Sequence, residues 1–138
     1  MCPLEKNIIV KITDLDNDCR GVGTLPSGKK VFIPGVLPDE TCVVNIEDDR
    51  KNYSIGACLS LCDTSKDRVL PIASILPGAD LAHMSYQAQL YYKQKKVRSC
   101  LTRIGGFDAG FLNGIIKPII ASERQTHYRN HMQYKVAA

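Results

Sequence analysis

The sequence predicts a mainly β protein: a small five-stranded barrel followed by a partial α+β domain with one helix and two or more strands. Three observations carry this. Residues 7–63 are short apolar runs separated by turn residues. From Ser85 the composition turns helical, and a strict alternation returns at Thr126–Val136. At 138 residues and 44% hydrophobic content, the chain can bury a modest core.

Ile8–Ile12 reads as the first strand, and the acidic Asp14–Asp18 stretch as a turn. Gly21–Leu25 is the second strand, with glycines that permit sharp coiling or a bulge. Pro26-Ser27-Gly28-Lys29 turns the chain back into Lys30–Ile33. Pro34-Gly35 and Leu37-Pro38 then interrupt pairing, so the chain must cross before Thr41–Ile46. Glu47–Asn52 is a polar hairpin tip, and Tyr53–Cys62 a long fifth strand. Five strands so spaced, all expected to be antiparallel, suit a partly open barrel of the oligonucleotide-binding type.

Asp63–Ala82 contains Pro71, Pro77 and Gly78 and reads as a linker with little that could pack. Tyr86–Leu101 is a helix, with Ser85 as N-cap and Gly105-Gly106 as its stop. Tyr86, Leu90, Val97, Leu101 and Ile104 fall near one stripe, expected to be core. Ile115–Ile120, containing Pro118, reads as an edge strand. In Thr126–Val136 the alternation places Arg129, His131, Gln133 and Lys135 on one face. The expected division is therefore a barrel over 1–66, a linker over 67–83 and a partial domain over 84–138.

Charge is distributed unevenly. Residues 1–83 hold 9 Lys/Arg against 12 Asp/Glu, whereas residues 84–138 hold 9 against 2. The second part is suited to meet a polyanion. No run is long and apolar enough for a membrane helix, and Met1–Lys6 lacks the layout of a secretory signal, so a cytoplasmic protein is expected. Six cysteines then read as free thiols. Cys58 and Cys62, four residues apart on one expected strand, are about 13 Å apart and poorly placed to share a tetrahedral ion. No metal site is expected.

Holding nucleic acid takes cations for phosphate and flat side chains for bases. On the barrel the candidates are Arg20, Lys29, Lys30, Phe32, Arg50, Lys51 and Tyr53. On the second part they are Lys93, Lys96, Arg129, His131, Gln133 and Lys135, expected to face the same RNA as the hairpin lysines. On composition alone, Phe32 and Tyr53 are more often core residues than stacking platforms. No catalytic residue is assigned: His83, His127 and His131 stand in no nucleophile motif, and no glycine-rich loop opens a helix after a strand. His83 is expected to cap the helix or form a buried hydrogen bond.

Several separated motifs are specific. Ile12-Thr13-Asp14-Leu15-Asp16, Gly21-Val22-Gly23 and Val31–Glu40 resemble the TRAM domain that opens the bacterial 23S ribosomal RNA (uracil-5-)-methyltransferases. The likeness continues through Asp67–Pro71, His83–Leu90 and Tyr128-Arg129-Asn130. It implies a TRAM barrel holding ribosomal RNA, then a central domain, then an S-adenosylmethionine domain whose cysteine attacks the uracil ring. None of the six cysteines here corresponds to that nucleophile. The resemblance therefore implies an RNA-binding N-terminal fragment, truncated in its central domain and inactive by itself. Two other possibilities stay open: one piece of a split active methyltransferase, or a barrel that meets protein.

Such proteins typically carry an iron–sulfur motif between the positions of Pro71 and His83, of the form C-x5-C-G-G-C. Here Ala73 stands in the first cysteine's place and the stretch is about three residues shorter. Alanine has no lone pair to offer iron, so no cofactor is expected in this chain. Protein purified without oxygen is accordingly expected to be colourless; a brown preparation with the visible absorbance of thiolate-bound iron would contradict this.

Overall fold

The computed structural model describes residues 7–72, 80–128, 130 and 131. Five strands, β1 (Ile8–Leu15), β2 (Gly21–Thr24), β3 (Lys30–Ile33), β4 (Thr41–Asp49) and β5 (Tyr53–Asp63), close into a barrel in the order β1-β2-β3-β5-β4. Alternation turns Val10, Ile12, Val31, Ile33, Cys42, Val44 and Ile46 inward, with Val36 beneath them. The interior is narrow. A Cβ on Gly23 would lie 2.2 Å from Val10 Cγ1, and one on Gly56 would lie 2.5 Å from Val44 Cγ1. The bulge expected near the glycines falls on β1, between Ile12 and Asp14, opposite Gly23 and Val22.

Two expectations about the barrel need correction together. It is closed rather than partly open, because β4 pairs back onto β1, and β3 pairs with β5 in parallel. A ring with an odd number of strands cannot alternate direction at every contact, so closure forces one parallel pair. The break at Pro34–Pro38 selects which pair it is. β4 runs against β1, and its hairpin partner β5 must then run alongside β3.

The segment after β5, expected to pack little, instead folds back onto the barrel. Arg68 reaches the carboxylate of Glu40, which is fully buried, through Nε to Oε1 at 2.5 Å and a terminal nitrogen to Oε2 at 2.8 Å. The backbone N–H groups of Leu37 and Ser65 also donate to that carboxylate, at 2.8 and 3.3 Å. Arg68 further donates to the carbonyls of Gly35 and Leu70. Burial pushes the Glu40 carboxyl up, but Arg68 and the two amides outweigh it and hold the group below its ordinary 4.5. Ile72 packs against the barrel core.

Arg68 also forms an antiparallel bridge to Met84, and Val69 N–H donates to the carbonyl of His83. Met84 joins Leu37 and Ala88 in a second small core, with Leu15, Leu81 and Tyr92 against it. His83 is buried, and among the described residues neither ring nitrogen has a partner, so the expected cap or buried hydrogen bond is not made there. Burial, and then the nearby Arg68 charge, hold its pKa below 6.5.

Helix α1 (Tyr86–Arg103) begins as expected, Ser85 Oγ accepting from Ala88 N–H, and ends at Gly105-Gly106, with Gly106 at φ 69°. The chain divides into two compact units, Met1–Tyr92 and Lys93–Ala138. In the second, α2 (Ala109–Ile115) is N-capped by Asp108, and Gln94 bonds the backbone of Lys117 and Ile119.

Three expectations for this region fail. Ala88 is the buried residue of α1, whereas Val97 and Ile104 of the expected core stripe are 54% and 81% exposed. Ile115 closes α2, and no strand follows to Ile120; Pro118 has no N–H, and Ile119 gives its own to a side chain. Thr126–Tyr128 is not a strand either, because His127 at φ 55° breaks extended backbone. The remainder of that expected strand, apart from Asn130 and His131, lies outside the described residues.

Arg68→Ala leaves a buried carboxylate uncompensated and is expected to lower unfolding free energy by about 3–5 kcal/mol in urea titrations. Glu40→Leu with Arg68→Leu is expected to cost much less than the single changes summed; strict additivity would contradict the pairing. Both depressed pKa values have the same sign. The His83 contribution is complete above 6.5 and lost as pH falls below it towards the folded value, and Glu40's is lost below 4.5. His83→Leu is expected to flatten stability just below pH 6.5; an unchanged slope there would contradict this.

Candidate nucleic-acid interface

With Val31, Ile33, Ser54 and Gly56 turned inward, the alternate residues of β3 and β5 face out. In the parallel register Lys30 lies opposite Tyr53 and Phe32 opposite Ile55. The Phe32 and Tyr53 rings meet edge to face at 5.6 Å. The Arg20 guanidinium lies 5.2 Å from the Phe32 centroid. Lys30 Nζ donates to Thr24 Oγ1 at 2.8 Å, and Lys29 Nζ reaches the Arg50 carbonyl at 2.9 Å, joining the two hairpins.

The structure thus brings Arg20, Lys29, Lys30, Phe32, Arg50 and Tyr53 into one neighbourhood, with Lys51 exposed at the β4–β5 tip. Phe32 is half-buried and Tyr53 exposed, so neither ring is a core residue of the barrel, contrary to the expectation from composition. An aromatic pair flanked by cations can stack a base and meet its phosphate.

Sequence inspection missed that most of these cations are already paired. Asp16 accepts from Arg20 N–H and Nε at 2.8 Å each, and Arg20 also reaches Asp18 at 3.0 Å. Lys29 pairs with Asp49 at 2.6 Å, and Arg50 with Asp48 at 2.7 Å. Asp49 is held below its ordinary 3.8 by Lys29 and the Ser54 hydroxyl. The Asp16–Arg20 spacing was visible as a turn; the Lys29–Asp49 pair, 20 residues apart, becomes visible only once β3 and β5 are in register.

The other candidates fall on the second unit. Lys93 and Lys96 lie exposed on α1, and His131 is exposed outside any helix or strand. Arg129, Gln133 and Lys135 lie outside the described residues.

Cys58 and Cys62 share β5 as expected. Burial pushes the Cys42 thiol up to about 12 and raises Cys58, so both stay protonated and poorly nucleophilic at neutral pH. Among the described residues no group of three or more His, Cys, Asp or Glu could hold a metal ion, and no helix is long and apolar enough to cross a membrane.

Comparison with known proteins places this barrel. Residues 6–59 match the TRAM domain. A Halalkalibacterium halodurans protein named as an uncharacterised RNA methyltransferase is 37% identical, over 97% of this chain and 29% of its own length. A protein of the same description from Oceanobacillus iheyensis is 36% identical over the same shares. The chain thus spans 29% of the length of these curated relatives. Among solved structures, Pyrococcus abyssi tRNA (uracil-54, C5)-methyltransferase in complex with S-adenosyl-L-homocysteine aligns with a TM-score of 0.46 and 27% identity, over 72% of this chain and 22% of its own.

Asp16→Ala removes the acceptor that holds Arg20 over Phe32. It is expected to cost about 1 kcal/mol of stability and to erase the ring-current shift of the Arg20 side-chain protons in NMR spectra. Retention of that shift would mean that Asp18 and Phe32 position the guanidinium without Asp16.

Proposed function

We propose that this chain, whose residues 6–59 form a TRAM domain, is the RNA-gripping N-terminal part of an RNA methyltransferase and performs no methyl transfer by itself. One observation carries the proposal: the outward cluster of Arg20, Lys30, Phe32 and Tyr53 on a barrel whose whole chain resembles RNA methyltransferases. Stacking on Phe32 and Tyr53 supplies hold that tolerates any base, because every base has a π-face. Arg20 and Lys30, beside the rings, supply phosphate contact.

We take the target to be a uracil in ribosomal RNA, on the sequence motifs that resemble that class. Lys93, Lys96, Arg129, His131, Gln133 and Lys135 are proposed as further RNA contacts of the basic second unit. S-adenosylmethionine would be held by a domain outside these residues. The described chain offers no cradle for it: α1 follows His83-Met84-Ser85 and α2 follows Gly106-Phe107-Asp108, neither a glycine-rich loop leaving a strand. No step of methyl transfer is therefore assigned to these side chains.

The acidic partners make a distinctive demand on binding. Phosphate must compete with Asp49 for Lys29 and with Asp48 for Arg50, whereas Lys30 donates to the neutral hydroxyl of Thr24. Lys30 is then the cheaper cation to redirect.

Anisotropy titrations of the full chain with single-stranded uridine-containing RNA test this. Phe32→Ala is expected to weaken binding by about 1–3 kcal/mol at every salt concentration. Lys30→Ala is expected to weaken it mainly at low salt and to reduce the log–log salt slope by about 0.7. Asp49→Asn, which releases Lys29, is expected to tighten it. Affinities unchanged by all three substitutions would remove the β3–β5 face from the RNA surface.

A further inference from the structure

The second unit carries an apolar surface that includes none of the proposed RNA contacts. Phe107, Phe111 and Ile115 recur at intervals of four residues, and Phe111 and Ile115 lie one turn apart on α2. The Phe107 and Phe111 rings stack at 6.2 Å with an interplanar angle of 20°. They are nevertheless 48%, 55% and 53% exposed, while α2 buries only Leu112. Contiguous large apolar side chains held in solvent mark a contact surface, and aromatic residues are enriched at the centres of such contacts.

What covers this face is indicated by the relatives. They match 97% of this chain, α2 included, yet the match occupies 29% of their length. About seven-tenths of each relative is therefore polypeptide beyond the matched part. We propose that Phe107, Phe111 and Ile115 form the docking face for that remaining methyltransferase polypeptide, joined to this chain or supplied separately. The proposal rests on the reading of the chain as part of an RNA methyltransferase, but uses none of the proposed RNA-binding residues.

The physical expectation is simple. Phe111 on α2 and Phe107, stacked on it from just before the helix, gain little from facing water, and burial against an apolar partner removes their surface from it. A second copy of this chain could use the same face, and is the competing occupant.

The test uses a chimaera in which this chain replaces the matched stretch of the Halalkalibacterium halodurans relative. Phe111→Cys, Ile115→Cys and, as a control on the barrel, Glu47→Cys, at an exposed position of β4, are alkylated with iodoacetamide and followed residue by residue by mass spectrometry. Alkylation at both face positions is expected to be slowed about tenfold or more in the chimaera relative to the free chain, equivalent to about 1.4 kcal/mol of protection. The Glu47→Cys rate should not change. Equal face rates in a cooperatively melting chimaera would overturn the proposal. So would protection in the free chain that grows with its concentration, since that assigns the face to self-association.

A second measurement stands independently of the chimaera's folding: capture of the free chain by the relative's remaining segment, expected for wild type and lost in Phe111→Asp. Absence of capture, or capture unaffected by Phe111→Asp, would contradict the docking face. RNA affinity is read from the same free-chain preparations. RNA binding without protection or capture sinks only the docking face, whereas docking without RNA binding sinks only the RNA-gripping role.

Discussion

The buried pair between Glu40 and Arg68 is the constraint on which the first unit depends. Glu40 ends the crossing segment that carries the chain from β3 to β4, and Arg68 lies beyond the end of β5. A buried carboxylate without a counter-charge is costly, so once Glu40 is inside, the chain after β5 must return to it. That return brings Arg68 beside Met84 and Asp67 beside Ser85, which sets the start of α1. The second small core of Leu37, Met84 and Ala88 then has its members in place. His83 is carried inside by the same path.

A different balance governs the outer face of β3 and β5. The barrel stretch 7–63 holds 6 Lys/Arg and 9 Asp/Glu, so its cations are not a free positive field. Arg20, Lys29 and Arg50 are each held by aspartates, which order the side chains and weaken their claim on a phosphate. Exposed pairs of this kind contribute little stability and can exchange partners. The aromatic rings are different, because a base that stacks on the exposed Tyr53 breaks no ion pair, although one at Phe32 must share the ring with the Arg20 guanidinium. Affinity resting on rings first and cations second follows from that asymmetry.

The barrel was legible in the sequence because each of its strands is bounded by glycine, proline or aspartate and alternates inward and outward residues. Closure was not, since no local pattern reports that β4 meets β1, and the parallel β3–β5 pair follows only from closure. Ser85 and Gly105-Gly106 marked the ends of α1 correctly because caps are local chemistry. The expected core stripe on α1 and the strand at Ile115–Ile120 misled because hydrophobicity alone does not reveal whether a covering element is present. The candidate site was half legible: residue types picked out Phe32, Tyr53 and the cations, while the Lys29–Asp49 and Glu40–Arg68 pairs depend on contacts 20 and 28 residues apart.

The central claim is that RNA is held on the outer face of β3 and β5. NMR titration of the full chain with single-stranded RNA, resolved residue by residue, tests it most directly. The largest shifts are expected at Arg20, Lys30, Phe32 and Tyr53, with the inward Val31 and Ser54 little changed. Binding accompanied by shifts confined to residues away from β3 and β5 would contradict it.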